Sequence, residues 1–207
     1  MSQASDSIRP LREFVTAMTT LVERQPTEAT ALREGRALLA DLLAAPRWLP
    51  DLFAHSEPGA YRQFLLYCDP FERFSVVSFV WGVGATTPVH NHTVWGLIGV
   101  LDGAETCCEY EPTGEERVRI TTGEHQLAQG MIEAVSPTVG DWHQVSNAQA
   151  DRQSLSIHVY GGNIGSVRRH MVDPQTGLIR DFISGYSSAQ LPNLWDRSAS
   201  VRAQGVG

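Results

Sequence analysis

With 207 residues, 42% of them hydrophobic and 19% charged, the chain has the make-up of a folded protein, long enough to bury a large core in one domain of sandwich or barrel type. Its net charge of −7 comes without a concentrated basic tract, which argues against nucleic acid or an anionic membrane as partner and favours small-molecule chemistry. There is no run of ~18 apolar residues, no apolar signal core near Met1, and neither a disulfide framework nor a zinc knuckle in Cys68, Cys107 and Cys108, so a reduced, cytoplasmic protein is expected.

The first elements in chain order are helical. Apolar residues at Leu11, Phe14, Val15, Met18, Leu21 and Val22 follow the spacing of an amphipathic helix from Ile8 to about Arg24. A second face begins after Pro26 and Thr27 and runs through Leu32, Leu38, Leu39, Leu42 and Leu43 until Pro46 stops it. Residues 1–50 therefore read as helices that pack on the rest of the chain.

After Pro58 the composition turns to short strands separated by Gly, Pro, Asn and Asp: 61–68, 71–81, 95–101, 105–110, 117–121, 131–135, 142–146, 153–160 and 164–171. Many short strands with turn signals predict a mainly β sandwich or barrel. The run from Ser75 to Trp81 is apolar on both faces, as a strand covered on both sides requires. Residues 58–197 are expected to hold the barrel and a C-terminal segment that wraps its surface from Tyr186 through Pro192 and Trp195.

Three histidines stand out. His90 and His92 flank Asn91, and residues i and i+2 of a strand share a face, so the two imidazoles can serve one ion. His143 follows some fifty residues later in the run Pro137-Thr138-Val139-Gly140-Asp141-Trp142-His143. A second constellation lies in Ser156-Ile157-His158-Val159-Tyr160, where the three polar side chains alternate with apolar ones and share a face. Such a row can relay a hydrogen bond from Ser156 through the imidazole to the Tyr160 hydroxyl, or it can simply face solvent. It lacks both an acid and a GxSxG elbow, which disfavours a serine hydrolase.

The spacing from Gly84 through His90, His92 and Gly96 to Gly103 resembles the first motif of the cupin superfamily, and Gly130, Pro137, Gly140, His143 and Asn147 approximate the second. The resemblance implies a cupin-type double-stranded β-helix, a jelly-roll barrel with an N-terminal helical segment, and a metal site at His90, His92 and His143. Gly96 stands where many cupins carry a glutamate ligand. Three neutral imidazoles leave a divalent ion its full charge for an anionic thiolate, although imidazole suits iron, zinc, copper and nickel alike.

The Ser156, His158 and Tyr160 row makes the resemblance more specific. Over about 61–195 the chain is similar to the cysteine dioxygenase family, cupins with a three-histidine iron site and a Ser-x-His-x-Tyr row beside it. That resemblance implies Fe(II), one per chain and with no organic cofactor, a small thiol and dioxygen as reactants, and a sulfinate product. Where mammalian-type members have a crosslinking cysteine this chain has Gly96, and Gln63 stands in place of their carboxylate-binding arginine, unless a one-residue shift of register brings Arg62 there. These departures resemble the bacterial 3-mercaptopropionate dioxygenase branch, in which an arginine after the tyrosine strand binds the substrate carboxylate. Arg169 is favoured over Arg168 for that role, and Asn163-Ile164-Gly165 and Ser184-Gly185-Tyr186-Ser187 are also similar to this branch. L-cysteine is the alternative substrate; a metal-cupin isomerase or a non-catalytic ligand-binding cupin are the other readings. His55, His125 and His170 are expected at the surface.

Overall fold

A computed structural model of the chain describes residues 8–114 and 116–187. Two helices open it, α1 (Arg9–Glu23) and α2 (Glu28–Ala44), and the Thr27 hydroxyl caps α2 by accepting from the Thr30 amide at 3.3 Å. Eleven strands follow: β1 (Tyr61–Cys68), β2 (Ser75–Trp81), β3 (Gly96–Asp102), β4 (Ala104–Pro112), β5 (Val118–Ile120), β6 (His125–Ala128), β7 (Ile132–Val135), β8 (Trp142–Asn147), β9 (Ser154–Tyr160), β10 (Arg169–Val172) and β11 (Ile179–Phe182).

The strands form two antiparallel layers. One sheet has the order β1-β2-β9-β3-β7. In the other, β4 pairs with β5 and β6 on one side and with β8 on the other; isolated bridges from Thr86 and His90 join β8 to that segment, and His90 joins it to β10, which pairs β11. This arrangement is the double-stranded β-helix expected from the sequence, with the two helices laid on the outside of the five-stranded sheet. The strand period separates two cores. Leu155, Ile157 and Val159 of β9 face outward with Leu97, Val76 and Val80 and bury the apolar stripes of α1 and α2. Leu65, Val77, Phe79, Trp81, Cys107, Val145 and Tyr160 fill the barrel.

The helices lie within a residue of their expected limits, and β1 matches its predicted span. Elsewhere the turns decide. Residues 71–74 belong to a turn, not to β2, because the buried Asp69 carboxylate accepts from the Phe71 and Arg73 amides and from the Arg73 guanidinium. Residues 164–168 likewise turn on the Asn163 carbonyl, which accepts from the Ser166 and Val167 amides at 2.8 and 3.1 Å, so the predicted strand shrinks to β10. The short edge strands β6 and β11 carry too little apolar alternation to be visible in the sequence. No helix among the described residues is long and apolar enough to cross a membrane. The C-terminal segment expected to wrap the barrel, with Pro192 and Trp195, lies outside the described residues.

Candidate metal centre and substrate cavity

His90, His92 and His143 converge. Ring centroids lie 5.1 Å apart for His90 and His92, 4.8 Å for His90 and His143, and 4.8 Å for His92 and His143. Their ligand nitrogens fall within 4.8 Å of one another. The route to this geometry differs from the expected one. His90 is a single bridge residue, with its amide donating to the His143 carbonyl and its carbonyl accepting from the His143 amide, both at 3.0 Å, and residues 91–92 leave the strand pattern. The turn after them has Thr93 at φ 60°, held by Asp141, whose carboxylate accepts from the His92 and Thr93 amides at 2.9 Å each.

Each imidazole has its Nδ1 side occupied. His90 Nδ1 lies 3.0 Å from the Pro88 carbonyl, His92 Nδ1 3.1 Å from Asp141 Oδ1, and His143 Nδ1 3.6 Å from the Cys107 thiol. Contacts of this kind fix the tautomer that leaves Nε2 for an ion, and the buried His92 Nε2 indeed has no partner within the protein. Burial pushes His90 and His143 well below the ordinary histidine range, with neighbouring imidazoles adding to the effect, and it lowers His92 despite the opposing pull of Asp141. Two buried imidazoles and a half-buried third, all neutral and one with an orphaned nitrogen, fit a divalent transition metal.

Position 96 has no room for a ligand side chain. A Cβ there would stand 2.8 Å from the Tyr160 ring and 2.9 Å from Val135, so neither glutamate nor cysteine fits without displacing the tyrosine. Tyr160 itself stacks on His92, with centroids 5.4 Å apart and planes at 21°.

The polar row of β9 is buried, which removes the solvent-facing alternative. Ser156 Oγ lies 2.8 Å from His158 Nε2, and His158 Nδ1 lies 2.8 Å from the Tyr160 hydroxyl. Trp81 Nε1 donates to Ser156 Oγ at 3.1 Å, and Phe79 stacks on His158 with centroids at 4.1 Å. Burial holds His158 neutral and pushes the Tyr160 phenol up, so it stays protonated. Contrary to the sequence reading, an acid does approach Ser156: Glu105 of β4 is fully buried beside Ser156 and Trp81. Ser156 is itself sealed inside the barrel, so no hydrolase nucleophile results.

A cavity of about 400 Å³ opens beside His90, walled by Phe79, Phe182 and Tyr61 and reached by Gln63 and Arg169. The three carboxylate-binding candidates separate cleanly. Arg62 is exposed on β1. Arg168 is paired with Asp181 at the surface, with 70% of its side chain exposed. Arg169 is 3% exposed and lies in the cavity wall, its Nη2 donating to Ser184 Oγ at 2.8 Å, its guanidinium carbon 4.6 Å from the Phe182 ring centre, and its Nε without a partner. Gln63 lies in the wall too, its amide donating to the Gly185 carbonyl.

The two other stretches singled out in the sequence meet here. The Tyr186 hydroxyl donates to Asn163 and accepts from the Gly165 amide, while the Ser187 and Gln63 backbones bond at 2.8 Å. A Cβ on Gly165 would strike the Tyr186 ring at 2.3 Å. His125 pairs with Glu133 at 2.9 Å, and His170 holds Asn91 between His90 and His92, the Asn91 side chain accepting from the His170 amide at 2.7 Å. The supporting residues come from segments distant in sequence, Asp141 from the residue before β8 and Cys107 and Glu105 from β4, and only Asp141 lies within a run that the sequence singled out.

No family model matches the chain. Among solved structures it is similar to an uncharacterised conserved protein with a double-stranded beta-helix domain from Klebsiella pneumoniae, at 19% identity and a TM-score of 0.42 over 56% of this chain and 89% of that one. It is also similar to a cupin superfamily protein from Desulfitobacterium hafniense, at 11% identity and 0.43 over 57% and 94%. A third similar structure is an oxalate oxidase in complex with the substrate analogue glycolate, at 16% identity and 0.42 over 54% and 57%. The fold is a double-stranded β-helix. Its definition lies in the chain's own strand order and register.

Proposed function

We propose that this protein is a non-haem Fe(II) thiol dioxygenase of the cysteine dioxygenase type, adding both atoms of O2 to the sulfur of 3-mercaptopropionate to give the sulfinate. The observation that carries this reading is Arg169, a buried guanidinium facing a small cavity beside three histidines, with an unpartnered Nε and no Asp or Glu among the described lining residues. A buried cation without a counter-charge is costly, and a ligand carboxylate removes that cost.

His90, His92 and His143 would hold the iron, one per chain and without an organic cofactor. Bound there, Fe(II) supplies the electron and the charge that activate dioxygen and favour the thiolate. The other roles belong to the chain. Arg169 binds the carboxylate through charge-assisted hydrogen bonds and so aims the thiol end toward the histidines. Gln63, neutral and tied to Gly185, shapes the wall without adding a second cation. Phe79 and Phe182 exclude water from the reacting end. Tyr160 stays protonated and is oriented through His158 and Ser156, so its hydroxyl offers a hydrogen bond at a fixed place next to His92.

The cavity chemistry favours 3-mercaptopropionate over L-cysteine, the alternative substrate. The ammonium of cysteine would meet no acidic side chain among the described lining residues, and Arg169 would repel it. The test is oxygen uptake by anaerobically purified, iron-loaded protein with 3-mercaptopropionate, L-cysteine and cysteamine. A preference in that order supports the reading; strong preference for L-cysteine at low concentration would move the chain to cysteine dioxygenase proper, and no thiol-dependent uptake would remove the function.

A further inference from the structure

Glu105 is a fully buried carboxyl that the proposed chemistry leaves unused and that, unlike the buried Asp69 with its Arg73 partner, has no counter-charge beside it. As the second residue of β4 it lies between Asn147 of β8 and Leu127 of β6, both uncharged, and enters the barrel interior beside Ser156 and Trp81. Neither of its oxygens has a fixed hydrogen-bond partner, although Ser156 and Trp81 are close enough to favour its charged form. An isolated carboxyl in such a place is expensive, and a purely structural role is better served by an apolar side chain.

We propose that Glu105 is a positioning residue for the Ser156, His158 and Tyr160 row, donating a hydrogen bond to Ser156 Oγ in its acid form and thereby setting the direction of every hydrogen in the row. The consequence for activity rests on the thiol dioxygenase reading; the hydrogen-bond direction does not. The count at Ser156 leaves two arrangements. A hydroxyl has one hydrogen and two lone pairs, and Trp81 Nε1, which can only donate, takes one lone pair at 3.1 Å.

When Glu105 is protonated, its O–H fills the second lone pair, and the Ser156 hydrogen goes to His158 Nε2. The neutral imidazole then carries its proton on Nδ1 and donates it to the Tyr160 oxygen across 2.8 Å. The phenol hydrogen is left free to point away from His158. When Glu105 loses its proton to water, its carboxylate accepts from Ser156, His158 shifts its hydrogen to Nε2, and the phenol must donate to Nδ1. Tyr160 then has no hydrogen to offer a bound reactant.

Burial pushes Glu105 up to about 8, and the negative charge of Glu133, facing it from β7, adds to the effect. From β9 the titratable groups are His158 and Tyr160, both held neutral by burial, and from its own strand Cys107, a thiol that burial keeps protonated. β2 offers only uncharged Phe79 and Trp81. The acid form is therefore the resting form at neutral pH.

The test reads the tautomer of His158 by nitrogen NMR in full-length protein labelled at histidine, loaded with zinc so that the site stays diamagnetic. The wild type should carry the proton on Nδ1 at neutral pH and pass to Nε2 as pH rises through about 8. Glu105→Gln, whose amide donates without titrating, should keep Nδ1–H throughout, and its kcat should lose the alkaline fall expected of the wild type. Infrared difference spectra give a second readout, a protonated-acid carbonyl band present in the wild type at neutral pH and absent from Glu105→Gln and Glu105→Met. A wild-type tautomer that ignores pH, a transition that survives in Glu105→Gln, or a missing acid band overturns the proposal. The tautomer and infrared readouts need no turnover, so failure of the dioxygenase reading, which would remove only the kcat readout, is seen separately.

Discussion

Replacing Arg169 with methionine removes the guanidinium, which lies over the Phe182 ring, while keeping most of the aliphatic stem. In the native protein this group donates to Ser184 and leaves Nε unpaired, with 3% of the residue exposed. A hydrogen bond to a charged partner contributes about 1.5–3 kcal/mol. At about 1.36 kcal/mol per decade, kcat/KM for 3-mercaptopropionate should fall roughly 10- to 150-fold. Cysteamine has no carboxylate and carries a cation that Arg169 repels, so its kcat/KM should stay level or rise. Stability should hold or improve, because a buried charge without a counter-ion has been removed. The assay is oxygen uptake with both thiols beside a thermal melt. Equal losses on both thiols with an unchanged melting temperature, or no loss on the carboxylate thiol, would refute the assignment of Arg169 as the carboxylate anchor.

His143→Ala should leave the protein folded but reduce iron retention to a small fraction of the wild-type content, measured by elemental analysis after gel filtration; wild-type iron content would take His143 out of the ligand set. Gly96→Ala forces a Cβ to within 2.8 Å of Tyr160, and the overpacking should cost about 1–3 kcal/mol in chemical denaturation. An unchanged midpoint would mean that Tyr160 is not seated against this glycine. Glu105 also links stability to pH. Its folded-state value is raised from 4.5 to about 8, so the folded form holds a proton that the unfolded form releases, and stability falls as pH rises across that window. Glu105→Gln should flatten this part of the curve, and a slope unchanged in the variant would contradict the raised value.

The three converging histidines were legible because their spacing is unusual, not because the local geometry was. The strand argument that joined His90 to His92 holds for a regular strand, yet the structure brings them together through a bridge to His143 and a turn tied down by Asp141. The β9 row was the opposite case: strict alternation made its shared face readable directly, and burial on both sides then confirmed that the polar face looks inward. The preference for Arg169 over Arg168 rested on the resemblance and not on a strand face, because the strand assumed to carry both begins only at Arg169 and a turn precedes it. Gln63 and Arg62 could be placed once the β1–β2 register set Gln63 against Phe79. Glu105 was invisible as part of any site. It reaches Ser156 only because β4 crosses the barrel opposite β9, a relation carried by sheet topology and not by linear spacing.

The most direct measurement of the central claim is the fate of isotopic oxygen. Iron-loaded protein turned over with 3-mercaptopropionate under 18O2 should yield a sulfinate carrying both labelled atoms, one product per O2 consumed, as read by mass spectrometry. Unlabelled sulfinate, a single labelled atom at low solvent exchange, or no oxidised thiol from fully iron-loaded protein would contradict it.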